Sequence, residues 1–115
     1  MFKKLRTVIY KVNDLDAARA WYQKITGIQP YFDQPFYVGF DINGCELGLD
    51  PDMRNISPGN QAVAYWAVDQ LEEALQTLAE NGATILQPKT NVGENIFVAI
   101  ARDPFGNDIG LIEGA

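Results

Sequence analysis

TVIYKVNDLDAARAWYQKITG, residues 7–27, decides the fold, because VAYWAVDQLEEALQTLAENG at 63–82 repeats its plan. Each segment opens on an alternating apolar run, passes an acidic or amide residue, continues as a short amphipathic helix pattern and stops at a glycine. Each half also closes alike, on NGCELGL at 43–49 and on FGNDIGL at 105–111. A repeat of this length in two copies predicts paired modules around a shared cleft, not a solenoid.

Working outward, the first strand is expected over about Leu5 to Val12. Val8, Tyr10 and Val12 fall on one face and Thr7, Ile9 and Lys11 on the other. Asn13 or Asp14 can cap a helix reaching Ile25, whose inward stripe is Leu15, Ala18, Tyr22 and Ile25. Gly27 ends it. Strands are expected within Ile28–Asp33, over Phe36–Ile42 and over Cys45–Asp50, the last two joined by Asn43-Gly44, a two-residue hairpin signal. Residues 51–61 read as a linker rich in Pro, Gly, Asn and Ser.

The second half is read the same way: a strand over Ala62–Val68, a helix capped by Asp69 and stopped by Gly82, a short strand over Ala83–Gln87, and a loop over Pro88–Gly93. Strands at Ile96–Ala101 and Asp108–Ile112 then flank the turn Asp103–Asn107. Each half is therefore βαβββ. The fold class is α+β, with two such modules (about 1–50 and 62–115) in one domain, forming a cupped eight-stranded sheet with two helices outside.

Composition narrows the function. A formal net charge of −6 argues against nucleic acid, whose phosphates need a basic face. With 47% hydrophobic residues the chain can bury a core. The single cysteine, Cys45, rules out an internal disulfide and reads as a small buried apolar residue. The N-terminus reads as a strand and not a signal peptide, and no apolar run is long enough for a membrane helix. A cytoplasmic protein is expected, with neither nucleic acid nor membrane as partner.

Three stretches carry a family resemblance: VNDLDAARAWYQKITG at 12–27, AVDQLEEALQTLAENGATI at 67–85 and DPFGNDIGLIE at 103–113. In this order they resemble the vicinal oxygen chelate superfamily, which includes glyoxalase I, bleomycin-resistance proteins and extradiol dioxygenases. The resemblance covers almost the whole chain. The Asp-Pro-x-Gly-Asn turn before a short apolar strand is its most specific piece. The family's enzymes hold a divalent metal with His, Glu or Gln from each module's first and last strands. Carried over, those positions here are Thr7, Gly48, Val63 and Gly110. Valine and glycine offer no donor, a threonine hydroxyl is a poor one, and the chain has no histidine. The resemblance is therefore nearest to metal-free, bleomycin-resistance-like members. No metal and no cofactor are expected.

Without a metal, the cleft face is expected to be apolar and aromatic. Its candidate ligand-binding residues are Thr7, Ile9, Lys11, Phe36, Val38, Phe40, Glu46, Gly48, Val63, Tyr65, Val98, Ile100, Asp108 and Gly110. The two glycines are expected to leave room in it, as small-molecule sites require. Aromatic rings there can stack on a planar ligand or attract a cation, which Glu46 and Asp108 can neutralise. Trp21 and Trp66 read as core or subunit contact. The expected function is metal-independent binding of a small aromatic organic molecule, resembling antibiotic sequestration, by a homodimer. The alternative is a glyoxalase-type lyase or isomerase, or a metal-free enzyme with Glu46 or Asp108 as base. A third reading is a non-catalytic interaction module.

Overall fold

The computed structural model describes residues 1–54 and 62–114. Among these, the chain forms two helices and two four-stranded mixed sheets, an α+β fold in which the eight expected strands divide four to a sheet. It separates into two compact units, Met1–Ser57 and Pro58–Ala115. The expected linker over 51–61 lies outside the described residues from position 55 onward.

The first unit runs β1 (Thr7–Lys11), α1 (Leu15–Thr26), β2 (Phe32–Gln34), β3 (Tyr37–Ile42) and β4 (Cys45–Asp50). Its sheet order is β1-β4-β3-β2, with β1 parallel to β4 and the other pairs antiparallel. Asp14 caps α1 by accepting from Ala17 N at 3.1 Å, which satisfies a donor that the first helical turn leaves open. Gly27 closes the helix in the left-handed region at φ 71°, its N–H donating to Gln23 O. Ala18 and Tyr22 are buried on the helix side of the sheet with Tyr10, Val12, Leu47 and Leu49. The rings of Tyr10 and Tyr22 lie 5.8 Å apart. The second strand, expected within Ile28–Asp33, begins at Phe32 and runs one residue past that stretch, to Gln34. The hairpin expected at Asn43-Gly44 is present, both residues having positive φ.

The second unit runs β5 (Ala64–Ala67), α2 (Leu71–Glu80), β6 (Thr84–Gly93), β7 (Ile96–Arg102) and β8 (Asp108–Glu113), with sheet order β5-β8-β7-β6. Leu71, Leu75 and Leu78 of α2 are buried, as are Ala99, Ala101, Ile109 and Leu111 on the facing strands. Trp66 pairs with Leu111 and so lies on this helix-facing side.

Three expectations fail here. The cap of α2 is Gln70, not Asp69, and it makes no side-chain cap bond. Instead Glu113, from the end of β8, accepts from Leu71 N at 2.7 Å. A long-range carboxylate thus does the work of a local cap, which no local pattern reveals. The loop expected over Pro88–Gly93 is strand: β6 continues to Gly93 through three register irregularities. Pro88 is tolerated because β6 is an edge strand, where a missing N–H breaks no ladder bond. Cys45 is half-buried, not fully buried.

Candidate functional site

Strand register sorts the candidate residues by face. On β1 and β4, Thr7 lies opposite Glu46, Ile9 opposite Gly48 and Lys11 opposite Asp50, all on the face turned from α1. On β3, Gly39 lies opposite Gly48, so Tyr37, Gly39 and Asp41 share that open face. Phe32 of β2 joins them by pairing with Gly39.

Val38 and Phe40 do not belong to this face. They pair with Leu49 and Leu47, point to the helix side and are 0% exposed. Phe36 sits in the turn between β2 and β3 at 66% exposure. The expectation put Val38 and Phe40 on the same face as Val98 and Ile100, but the two hairpins differ in parity. The β3–β4 turn has two residues, and the β7–β8 turn, Asp103–Asn107, has five. Because side chains alternate with period two, an odd difference in turn length moves the set to the other face. The true counterparts of Val98 and Ile100 are Tyr37 and Gly39.

The open face of the first sheet is organised around Glu46. Its Oε1 accepts from Thr7 Oγ1 at 3.0 Å and from the Tyr37 hydroxyl at 3.1 Å, and its Oε2 accepts from the Tyr31 hydroxyl. The Tyr31 bond, opposed by burial and helped by Thr7 and Tyr37, holds the Glu46 carboxyl below its ordinary pKa. Burial, and then the bond to Glu46, pushes the Tyr37 phenol up to about 12. The Glu46 bond likewise raises Tyr31. Lys11 is held by Asp50 at 2.9 Å.

The glycines do not leave the expected room. A side chain at Gly48 would overlap the Tyr37 phenol, and a Cβ at Gly39 would stand 2.7 Å from Glu46 Oε2 and 3.1 Å from the Tyr31 ring. These backbones form a floor on which the two phenols and the carboxylate rest.

The second sheet has a related plan. Tyr65 lies opposite Gly110, and a Cβ at Gly110 would meet the Tyr65 ring at 2.7–2.9 Å. Val98 and Ile100 share this face, opposite Ile112 and Gly110. Asp108, on the same face, is bound by Arg102 Nε at 2.8 Å. Val63 stands just before β5.

The donor set does not fit a transition-metal centre. The Thr7 hydroxyl is committed to Glu46, Gly48 lies beneath Tyr37, Gly110 lies beneath Tyr65, and Val63 has no donor. Among the described residues no three His, Cys, Asp or Glu side chains gather to hold a metal.

A separate surface concavity of about 550 Å³ lies at the start of α1, lined in part by Asp14, Asp16, Arg19 and Asp33. Arg19 is taken up there by Asp16 at 3.1 Å and Asp33 at 3.3 Å. Nothing in it converges as the hydroxyls converge on Glu46.

Sequence reasoning missed Tyr31, Tyr37 and Gly39. Tyr37 and Gly39 were within reach: counting back across the two-residue Asn43-Gly44 turn places both opposite β4's open-face residues. Tyr31 lies outside any strand and is brought in by its backbone N–H, which donates to Gly39 O at 2.9 Å.

Comparison with known proteins agrees with this architecture. A solved glyoxalase/bleomycin resistance protein/dioxygenase family enzyme from Burkholderia phytofirmans PsJN is similar at TM-score 0.82 and 18% identity, covering 96% of this chain and 98% of that one. A lactoylglutathione lyase from Agrobacterium tumefaciens is similar at TM-score 0.75 and 19% identity, with 96% and 93% covered. A glyoxalase/bleomycin resistance protein from Albidiferax ferrireducens T118 gives 0.72 and 23%, with 95% and 97% covered. At such identities these likenesses speak to fold alone. No curated protein sequence matches the chain. The sequence pattern of one family spans residues 4–111, and by it this chain belongs to the Glyoxalase/Bleomycin resistance protein/Dioxygenase superfamily.

Proposed function

We propose that this protein binds a small aromatic organic molecule without a metal, on the open face built around Glu46. Superfamily membership supports small-molecule binding or glyoxalase-like activity in general. The observation that carries the finer reading is the Glu46 carboxylate, held by the hydroxyls of Thr7, Tyr31 and Tyr37 beside exposed aromatic rings. Convergent polar groups within an aromatic surround are what orient a small ligand. Antibiotic sequestration is one use of such a site.

The enzyme reading is less well supported by the same geometry. A carboxyl held below its ordinary pKa is a weaker base, and Asp108 is tied to Arg102. A homodimer is part of the proposal. β6 is a ten-residue edge strand carrying exposed Ile85, Leu86 and Val92, apolar area that self-association would bury. The described residues include no helix long and apolar enough to cross a membrane. A cytoplasmic location is part of the proposal.

A thermal-shift screen of aromatic compounds tests the reading, because a ligand that binds only the folded state raises Tm by mass action. Hits are expected with the native chain and are expected to be lost in Tyr37→Ala. Native mass spectrometry should show twice the 12.8 kDa chain mass and no retained metal. A stoichiometric transition metal surviving dialysis, or a screen in which no aromatic compound shifts Tm, would overturn the proposal.

A further inference from the structure

We propose that the Glu46 site selects organic cations that donate hydrogen bonds, namely ammonium or amidinium groups carried on an aromatic body; this deepens the binding reading above and rests on it.

The argument is one of hydrogen-bond inventory. A threonine or tyrosine hydroxyl carries one proton to donate. Thr7 gives its proton to Glu46 Oε1, Tyr37 gives its proton to the same oxygen, and Tyr31 gives its proton to Oε2. With all three donors committed, the cluster turns only lone pairs toward a visitor: those of the two phenol oxygens and those remaining on the carboxylate. A ligand that supplies N–H donors and positive charge satisfies them. An anion meets a carboxylate with no hydroxyl proton free to soften it.

Charge and ring placement agree. The three groups bonded to Glu46 are neutral, so they hold its charge in place without cancelling it. Lys11 is drawn to Asp50. Arg6 lies close enough to donate to Thr7 Oγ1 at 3.1 Å, but it is exposed, and an arriving cation can replace it at small cost. Phe32 lies 6.0 Å from Phe36 and 6.2 Å from Tyr37 between ring centroids, and Tyr31 is 61% exposed above Gly39. Aromatic faces are electron-rich and attract ammonium groups. The chain thus places one ionised carboxylate, acceptor oxygens and several ring faces on a single glycine floor.

Four probes sharing a benzene ring separate the possibilities on the full-length chain: benzylamine, benzamidine, benzyl alcohol and benzoate. Affinities are read by ligand-observed NMR and by Tm. Benzylamine and benzamidine should bind about tenfold or more tightly than benzyl alcohol, the scale of a hydrogen bond to a charged group. Benzoate should not bind. Glu46→Gln should remove the advantage of the cations, so that amine, amidine and alcohol bind that variant alike. Should Glu46→Gln fail to fold, Tyr31→Ala at its exposed position is the second variant; losing one ring face should lower the cation-to-alcohol ratio roughly threefold. Equal binding of alcohol and amine by the native chain, a cation advantage undiminished in Glu46→Gln, or a cation-to-alcohol ratio unchanged in Tyr31→Ala would overturn this inference and leave aromatic binding standing. Failure of all four probes at millimolar concentration would overturn both.

Discussion

The Tyr37 phenol occupies the space above Gly48, where a side chain at that position would have to stand. By the family resemblance in its sequence, position 48 is one of the four where a metal ligand would be expected in the superfamily's enzymes. Here the ligand's place is taken by a neighbouring strand's ring, whose hydroxyl then bonds Glu46. Tyr65 stands in the same relation to Gly110, although it comes from β5 and Tyr37 comes from β3.

Gly48→Ala should therefore destabilise the protein. The added methyl drives the Tyr37 ring away and loosens the Glu46 bond, an overpacking cost of about 1–3 kcal/mol. In a Tyr37→Ala background the same substitution should cost much less, because the clash is gone. Urea denaturation of the four proteins in this cycle measures the coupling. Additive effects would show that the ring and the glycine do not compete for space.

Stability should respond to acid through Glu46. Its folded pKa lies below the ordinary 4.5, so its contribution is complete above that value and is lost as pH falls through the lower folded one. Tyr37 has the opposite sign. Its folded pKa of about 12 lies above the ordinary 10.0, so its contribution is complete below 10.0 and is lost as pH rises toward 12. Denaturant midpoints measured against pH should flatten at the acid end in Glu46→Gln and at the alkaline end in Tyr37→Phe. Curves parallel to the native chain's would contradict the assignment.

Glu113→Ala should weaken the start of α2. The carboxylate accepts from Leu71 N at 2.7 Å and also lies 3.6 Å from Lys89 Nζ. Removing a capping acceptor at a helix N-terminus costs about 0.5–2 kcal/mol. Supplying a local cap by Gln70→Ser should recover part of that loss. Chemical denaturation gives both numbers, and amide exchange at Leu71 reports the cap directly.

Asp103→Ala should be worse tolerated than Asp103→Asn. Oδ1 of this buried residue accepts from Phe105 N at 2.9 Å and from Asn107 N at 2.8 Å, bracing the turn that leads into β8. Asparagine keeps an acceptor oxygen in place, whereas alanine leaves two backbone N–H groups unsatisfied, at about 1–3 kcal/mol each when buried. Comparison of Tm for the two variants decides the point; equal values would mean that water replaces the carboxylate.

What the sequence determined by itself was local or periodic. The two-fold repeat follows from comparing the two halves, and the α1 start at Asn13 or Asp14, its stop at Gly27, the Asn43-Gly44 hairpin and the full extent of β4 follow from neighbours within one or two turns of chain. Tertiary structure decided what depends on contacts between distant segments. Glu113 caps a helix that begins 42 residues earlier in the chain. Pro88 sits within a strand because β6 lies at the sheet's edge. Val38 and Phe40 went to the core while Tyr37 and Gly39 took the open face, since the parity of one hairpin turn sets the face of every side chain on β3. The glycine positions show the boundary most plainly. The absence of a side chain at Gly48 and Gly110 is a fact of sequence, but which side chain fills the vacated space is a fact of packing, settled by the strands that lie beside each glycine.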